Sequence, residues 1–287
     1  MPTAYQSSIA WQRAGAVASG QLGDARETLH HAAQLLALVG ASYLLARADD
    51  SHTSVRWLAD TRAFATEIVD ALRPFRVALR ASDLTLLFLE ASGREAGMFP
   101  LSERTRNEAI AWLRARIGDA GRDPAALHTS LHFSIAHHAT DDGAPFVRQS
   151  EGLEELSRWY ANANALLEAQ QAQRTGASDV RCWPHHFDIA TLVRLSGGPF
   201  QTIGIGMSPG DASYNEPYFY VTPYPRPARS VAPLEVGIWH ATDWWGALLL
   251  ASEIVAVRSP AEQLALVTRF IEGAFNAVVD PRRETPP

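Results

Sequence analysis

Phe75-Arg76-Val77-Ala78-Leu79-Arg80-Ala81-Ser82-Asp83-Leu84-Thr85-Leu86-Leu87-Phe88 is the stretch that decides the class of fold. Phe75, Val77 and Leu79 alternate with Arg76, Ala78 and Arg80, which is the period of a strand whose successive side chains point to opposite faces. Ser82-Asp83 marks a turn, and Leu84, Leu86 and Phe88 resume the alternation, so the stretch predicts a β-hairpin.

The chain upstream of the hairpin carries a different period. Leu29, Ala33, Leu36, Val39 and Tyr43 recur at helical spacing, behind an Asp24/Glu27 capping box. A second helix is expected to carry Val55, Leu58, Ile68 and Leu72 and to end at Pro74, which cannot continue it. These patterns divide the chain into a helical region over 1–74, an α+β core over 75–280 and a frayed tail over 281–287.

Downstream, Ser102 is expected to cap a helix through Ile117. Leu131, Phe133 and Ile135 predict a strand with His132 and Ser134 on its other face. Ser150 opens a helix with Leu153, Leu156, Tyr160 and Leu167 on one side. Short apolar runs at 189–195, 202–207, 218–222 and 236–240, separated by Gly and Pro, read as strands of one sheet or barrel. Ser259-Pro260-x-Glu262 combines a cap, a proline at the first helical position and a reciprocal carboxylate, so it opens a C-terminal helix. The expected architecture is α+β: a helical N-terminal layer on a mostly antiparallel sheet or barrel-like β region, closed by a C-terminal helix.

Composition narrows the chemistry. A formal charge of −6 over 287 residues argues against a nucleic-acid partner, which needs concentrated positive charge. All 25 basic residues are arginine, so Schiff-base chemistry, pyridoxal phosphate anchoring and a Walker lysine are excluded. Gly204-x-Gly206 lacks the third glycine and following helix of a dinucleotide fingerprint, so NAD is not expected. A single cysteine, Cys182, allows no intrachain disulfide, and the N-terminus shows no signal pattern, so a cytoplasmic protein is expected. The apolar run 32–46 is too short to span a bilayer and contains Gln34 and Ser42, so no membrane partner is expected.

Three clusters carry polar groups beside aromatics. In Cys182-Trp183-Pro184-His185-His186-Phe187-Asp188, an extended segment places His186 and Asp188 on one face. A His-x-carboxylate pair completed by a distant His, here His240, is the spacing of facial-triad metal sites. His186, Asp188 and His240 are therefore the expected ligands of one divalent metal ion, iron or zinc, with His185 replacing His186 if the segment turns. The second cluster, 208–220, offers Glu216 as a ligand or general acid/base, because a residue before proline is extended. It also offers Tyr218 and Tyr220 as pocket walls. The third, Trp239-His240-Ala241-Thr242-Asp243-Trp244-Trp245-Gly246, offers Asp243 as a catalytic carboxylate and Trp244, like Trp183, as a substrate-binding wall. His30, His31 and His52 are expected on the surface of helical segments.

Taken in order, Trp183-Pro184-His185-His186-Phe187-Asp188, then Ser208-Pro209-Gly210-Asp211 with Glu216-Pro217-Tyr218-Phe219-Tyr220, then Trp239-His240 with Trp244 and Gly246, resemble an uncharacterised bacterial family, domain of unknown function 5996. The resemblance covers roughly the last 110 residues. The long helical N-terminus and the lack of a lysine in the early hairpin depart from it. The resemblance implies that the clusters form one unit and implies no reaction. Three readings follow from the residues: a metal-dependent enzyme acting on a small molecule, a metal-free small-molecule-binding protein with an aromatic pocket, and a buried polar network that fixes the sheet.

Overall fold

The computed structural model describes residues 9–195, 201–227 and 231–279. The fold is α+β with antiparallel sheets, and the chain forms two compact units. One, called here the first unit, comprises Leu22–Ser157 and Arg181–Phe187; the other, the second unit, comprises Met1–Gln21, Arg158–Val180 and Asp188–Pro287. The sequence division at 74/75 falls inside the first unit, and the tail 281–287 lies outside the described residues.

The first unit is built on helix α1 (Gly23–Tyr43) and an antiparallel sheet in the order β1-β2-β3-β4-β5. The strands are β1 (Arg56–Leu58), β2 (Ala63–Ala65), β3 (Phe75–Arg80), β4 (Thr85–Glu90) and β5 (Glu95–Pro100). The hairpin expected from the sequence is β3–β4, with Val77 opposite Phe88 and Leu79 opposite Leu86. Leu84 sits in its turn with φ 57°, so the second strand starts one residue later, at Thr85. The second helix expected before Pro74 does not form. Val55–Leu58 instead bridges Cys182 and enters β1, and Ala63–Ala65 pairs with both β1 and β3. Sheet partners on both sides of these short β-compatible runs override their helical spacing.

Alpha-helix α1 is buried on all sides from Leu35 to Val39, as an all-round apolar helix must be. Its N-cap is Leu22 with no side-chain bond, so Asp24 serves the first turn by charge and not as a cap. Gly40 is required, because a Cβ there would run into the carbonyl oxygen of His52. Helix α2 (Arg106–Asp119) is capped by Thr105 in a reciprocal box with Glu108, three residues beyond the expected Ser102. Trp112 of α2 stacks on Phe99 of β5 at 5.4 Å. The expected strand at 131–135 does not form: the chain bends at His132 and Phe133 and pairs with no strand among the described residues; Leu131, Phe133 and Ile135 are half-buried, and His132 and Ser134 are exposed.

Helix α3 (Ser150–Gln173) begins at the expected Ser150, and the division between the units falls within it. Strand β6 (Arg181–Trp183) belongs to the first unit, where Cys182 bridges Val55.

In the second unit β7 (Asp188–Arg194), β8 (Thr202–Ser208), β9 (Tyr218–Tyr224), β11 (Gly246–Leu250) and β10 (Ile238–His240) follow one another across an antiparallel sheet. Four of these strands match the expected runs; β11 is an addition. Opposed residues share a face. One face carries Ile205, Met207, Phe219, Val221 and Leu249. Helix α5 (Pro260–Val279), which opens at the expected Pro260, lies against this face, since Trp11 touches both Phe219 and Gln263. The other face carries Tyr218, Tyr220, Gly206, Leu248 and His240. A short helix, α4 (Ala251–Ala256), follows β11. Among the described residues no helix is long and apolar enough to cross a membrane.

Candidate functional site

The Trp183-Pro184-His185-His186-Phe187-Asp188 stretch is a turn, not an extended segment. Pro184 starts it, and the amides of His186 and Phe187 both donate to the Trp183 carbonyl, at 3.2 and 2.6 Å. Phe187 takes φ 59°, the left-handed region, at a cost of about 1–2 kcal/mol for a residue with a Cβ. Its fully buried ring offsets that cost: it stacks on His30 at 4.9 Å and meets Phe64 at 5.4 Å. The shared face expected for His186 and Asp188 therefore does not exist, because alternation applies only to extended backbone. His185 and His186 are exposed, and the His185 ring lies edge-on to Trp183 and to Phe133.

The inner side of this turn docks on α1. The Pro184 carbonyl accepts from His30 Nε2 at 2.7 Å and from Gln34 Nε2 at 2.9 Å. Burial lowers the His30 pKa to about 4, against the opposing pull of the Pro184 bond, so the ring is neutral at neutral pH. His31 is 6% exposed and His52 is 8% exposed, so these two are buried and not surface residues as expected.

In the second unit the remaining candidates form a closed polar network. Asp188, at the start of β7, accepts the Tyr220 hydroxyl. Asp211 accepts from the Tyr218 hydroxyl at 2.6 Å and from the amides of Ser213 and Tyr214. Burial, then the bond to Asp211, raises the Tyr218 pKa, so its phenol keeps its proton. His240 Nε2 pairs with Asp243 at 2.7 Å, and its Nδ1 pairs with the Tyr214 hydroxyl at 2.9 Å. The bond from His240 holds the Asp243 carboxyl below its usual range. Trp244 stacks on His240 at 4.6 Å and on Tyr218 at 6.4 Å. Glu216 accepts from the Ser252 amide at 2.6 Å and from the hydroxyls of Ser252 and Ser19, so it ties down the first turn of α4.

Glycine makes room for this network. A Cβ on Gly206 would lie 2.5 Å from the Tyr220 ring and hydroxyl, and one on Gly246 would lie 2.6 Å from the Trp244 ring.

The candidate metal ligands are divided. His185 and His186 belong to the first unit, whereas Asp188, Glu216 and His240 belong to the second. Both ring nitrogens of His240 are engaged, and Asp188 and Glu216 serve hydroxyls and an amide. Among the described residues no three His, Cys, Asp or Glu side chains stand together in a way that could hold a metal ion. This donor set does not fit a metal centre.

A cleft lies elsewhere in the first unit, with a volume of about 190 Å³. Its polar residues are His31 and Gln34 of α1, Arg106 at the start of α2, Ser134 and Asp141; Leu131, Phe133 and Ile135 supply apolar wall. Gln34 is 6% exposed, and its Nε2 donates to the carbonyls of His30 and Pro184. Two carbonyl partners fix which end is nitrogen, so Oε1 faces elsewhere and has no hydrogen-bond partner among the described residues. His31 Nε2 bonds the Ala136 carbonyl at 3.0 Å, and its ring stacks on His138 at 4.8 Å. Its Nδ1 is 3.6 Å from an Asp141 oxygen. Arg106 donates to the Thr129 carbonyl at 2.9 Å. Phe133 joins this cleft to the 184–187 turn through its contact with His185.

The cleft residues were missed in the sequence, although α1 held a signal. His31 and Gln34 are buried polar groups in the stretch of α1 that is buried on all sides, and His30 lies beside them; such groups need partners. Arg106 and Asp141 lie outside any motif. Compared with known proteins, the chain matches no family model, no curated protein and no solved structure.

Proposed function

We propose that this is a metal-free small-molecule-binding protein whose site is the His31–Gln34–Arg106–Asp141 cleft. The observation that carries the reading is the Gln34 side-chain carbonyl, buried without a partner among the described residues in a side chain that lines a cavity. A stranded buried acceptor costs about 1–3 kcal/mol, a cost a bound donor removes. Opposite charges on Arg106 and Asp141 beside an apolar wall are the pattern of a small polar ligand's site. The aromatic and carboxylate network of the second unit is then structural, since its carboxylates, its phenols and His240 have partners within it or on nearby backbone and serine groups. A single buried cysteine favours a reducing compartment such as the cytoplasm as its place of work.

The test is a screen of small polar metabolites by amide NMR on the full chain. Binders are expected to shift the Ser134, Ile135 and Asp141 resonances saturably, to raise the unfolding temperature, and to lose affinity in Arg106→Gln. The reading fails if nothing binds at millimolar concentration, or if binders move only resonances of the second unit.

A further inference from the structure

We infer that the ligand of this cleft is a free α-amino acid with an apolar side chain, an inference that rests on the cleft being the binding site. The polar wall is unbalanced in a way that names the partner. His31 Nε2 faces the Ala136 carbonyl and so carries the proton. Burial, the largest influence, lowers the His31 pKa against the opposing charge of Asp141, which keeps the ring neutral at neutral pH. Its Nδ1 is then a lone pair facing the Asp141 carboxylate across 3.6 Å, with no hydrogen between them. Gln34 Oε1, beneath the cleft and closed off from solvent, also has no donor among the described residues. His31 Nδ1 and the Asp141 carboxylate, two acceptors facing each other with no donor between them, call for an N–H-rich cation such as a primary ammonium group.

The cation on the wall is Arg106. Its one described bond is from Nη2 to the Thr129 carbonyl, which leaves the rest of the guanidinium fork for a carboxylate. Asp141 and Arg106 together are neutral, as a zwitterion is. The half-buried Leu131, Phe133 and Ile135 line the cleft beside Ser134 and give it an apolar wall. About 190 Å³ is roughly six water volumes, too small for a drug-sized ligand and suited to a single amino acid.

The experiment titrates the full chain with L-leucine, L-phenylalanine and the two halves of leucine, isoamylamine (no carboxylate) and 4-methylpentanoate (no ammonium). Amide NMR reports the site and calorimetry reports affinity. At least one of the two amino acids is expected to bind about tenfold or more tighter than either half, since each half lacks one charged hydrogen-bonding group. Arg106→Gln is expected to reduce amino-acid affinity to that of the amine and to leave the amine unaffected. Asp141→Asn is expected to weaken amino acid and amine together and to spare 4-methylpentanoate. Equal binding of a half and the whole overturns the zwitterion while leaving the cleft a binding site. So does silence from all four compounds when another metabolite shifts the cleft resonances. If no compound of either panel shifts them, the binding-site reading and this inference fall together.

Discussion

Lowering the pH from 8 to 5 is expected to remove about 2 kcal/mol of stability through one side chain, His30. An exposed imidazole has a pKa of 6.5, and in the folded chain that of His30 is lowered to about 4, first by burial and then by the nearby positive ends of His31, His186 and Arg26. The Pro184 bond acts in the opposite direction and is outweighed. Between those two values the unfolded chain binds a proton that the folded chain refuses. Stability is therefore full above about pH 6.5 and falls progressively as the pH drops towards 4. At pH 5 the unfolded state is favoured by a factor of about 30 relative to high pH, which is about 2 kcal/mol. The control is His30→Phe. Phenylalanine keeps the parallel stack on Phe187, and the Pro184 carbonyl keeps its second donor, Gln34 Nε2. Urea unfolding of both proteins at pH 8 and pH 5 gives four free energies. The wild type is expected to lose about 2 kcal/mol more than the variant between the two pH values. Equal losses, or an NMR titration placing the His30 ring near 6.5, would refute the reasoning.

Other perturbations address the second unit. Gly206→Ala sets a methyl group 2.5 Å from the Tyr220 ring and hydroxyl. It is expected to separate Tyr220 from Asp188 and to cost about 1–3 kcal/mol in chemical denaturation; an unchanged midpoint contradicts the close approach. Glu216→Ala removes the carboxylate on the Ser252 amide and is expected to cost about 1 kcal/mol, with amide exchange accelerated in α4 before other helices. Dialysis against a chelator is expected to leave the unfolding temperature unchanged, as is added iron or zinc; a metal-dependent rise of several degrees would restore a metal centre.

Much of the fold was legible because its periods are local. The β3–β4 alternation, the α5 start at Pro260 and the second-unit strands each follow from a handful of adjacent residues. The errors fall where tertiary partners outrank local pattern. Val55, Leu58, Ile68 and Leu72 have helical spacing, but the chain between them forms Arg56–Leu58 and Ala63–Ala65, which lie beside strands that complete their hydrogen bonds. The 131–135 segment has strand alternation but no strand beside it among the described residues, and its half-buried residues line the cleft instead.

The candidate site shows the limit of reading motifs as units. Six adjacent residues, Trp183 to Asp188, invite a single role, yet the division between the compact units falls between Phe187 and Asp188. Everything before that point serves the first unit: Pro184 gives its carbonyl to α1, and Phe187 accepts a left-handed backbone so that its ring can fill the gap between His30 and Phe64. Asp188 begins a strand of the second unit and takes the Tyr220 hydroxyl across the sheet. Adjacency of functional groups along the chain therefore did not make them one structural element. The better guide was polarity out of place. Gln34 sits in a buried helix where burying an amide costs several hydrogen bonds unless all are made. Its nitrogen makes two, and its oxygen makes none among the described residues. The proposed binding site rests on that stranded oxygen lying in a side chain that lines a cleft.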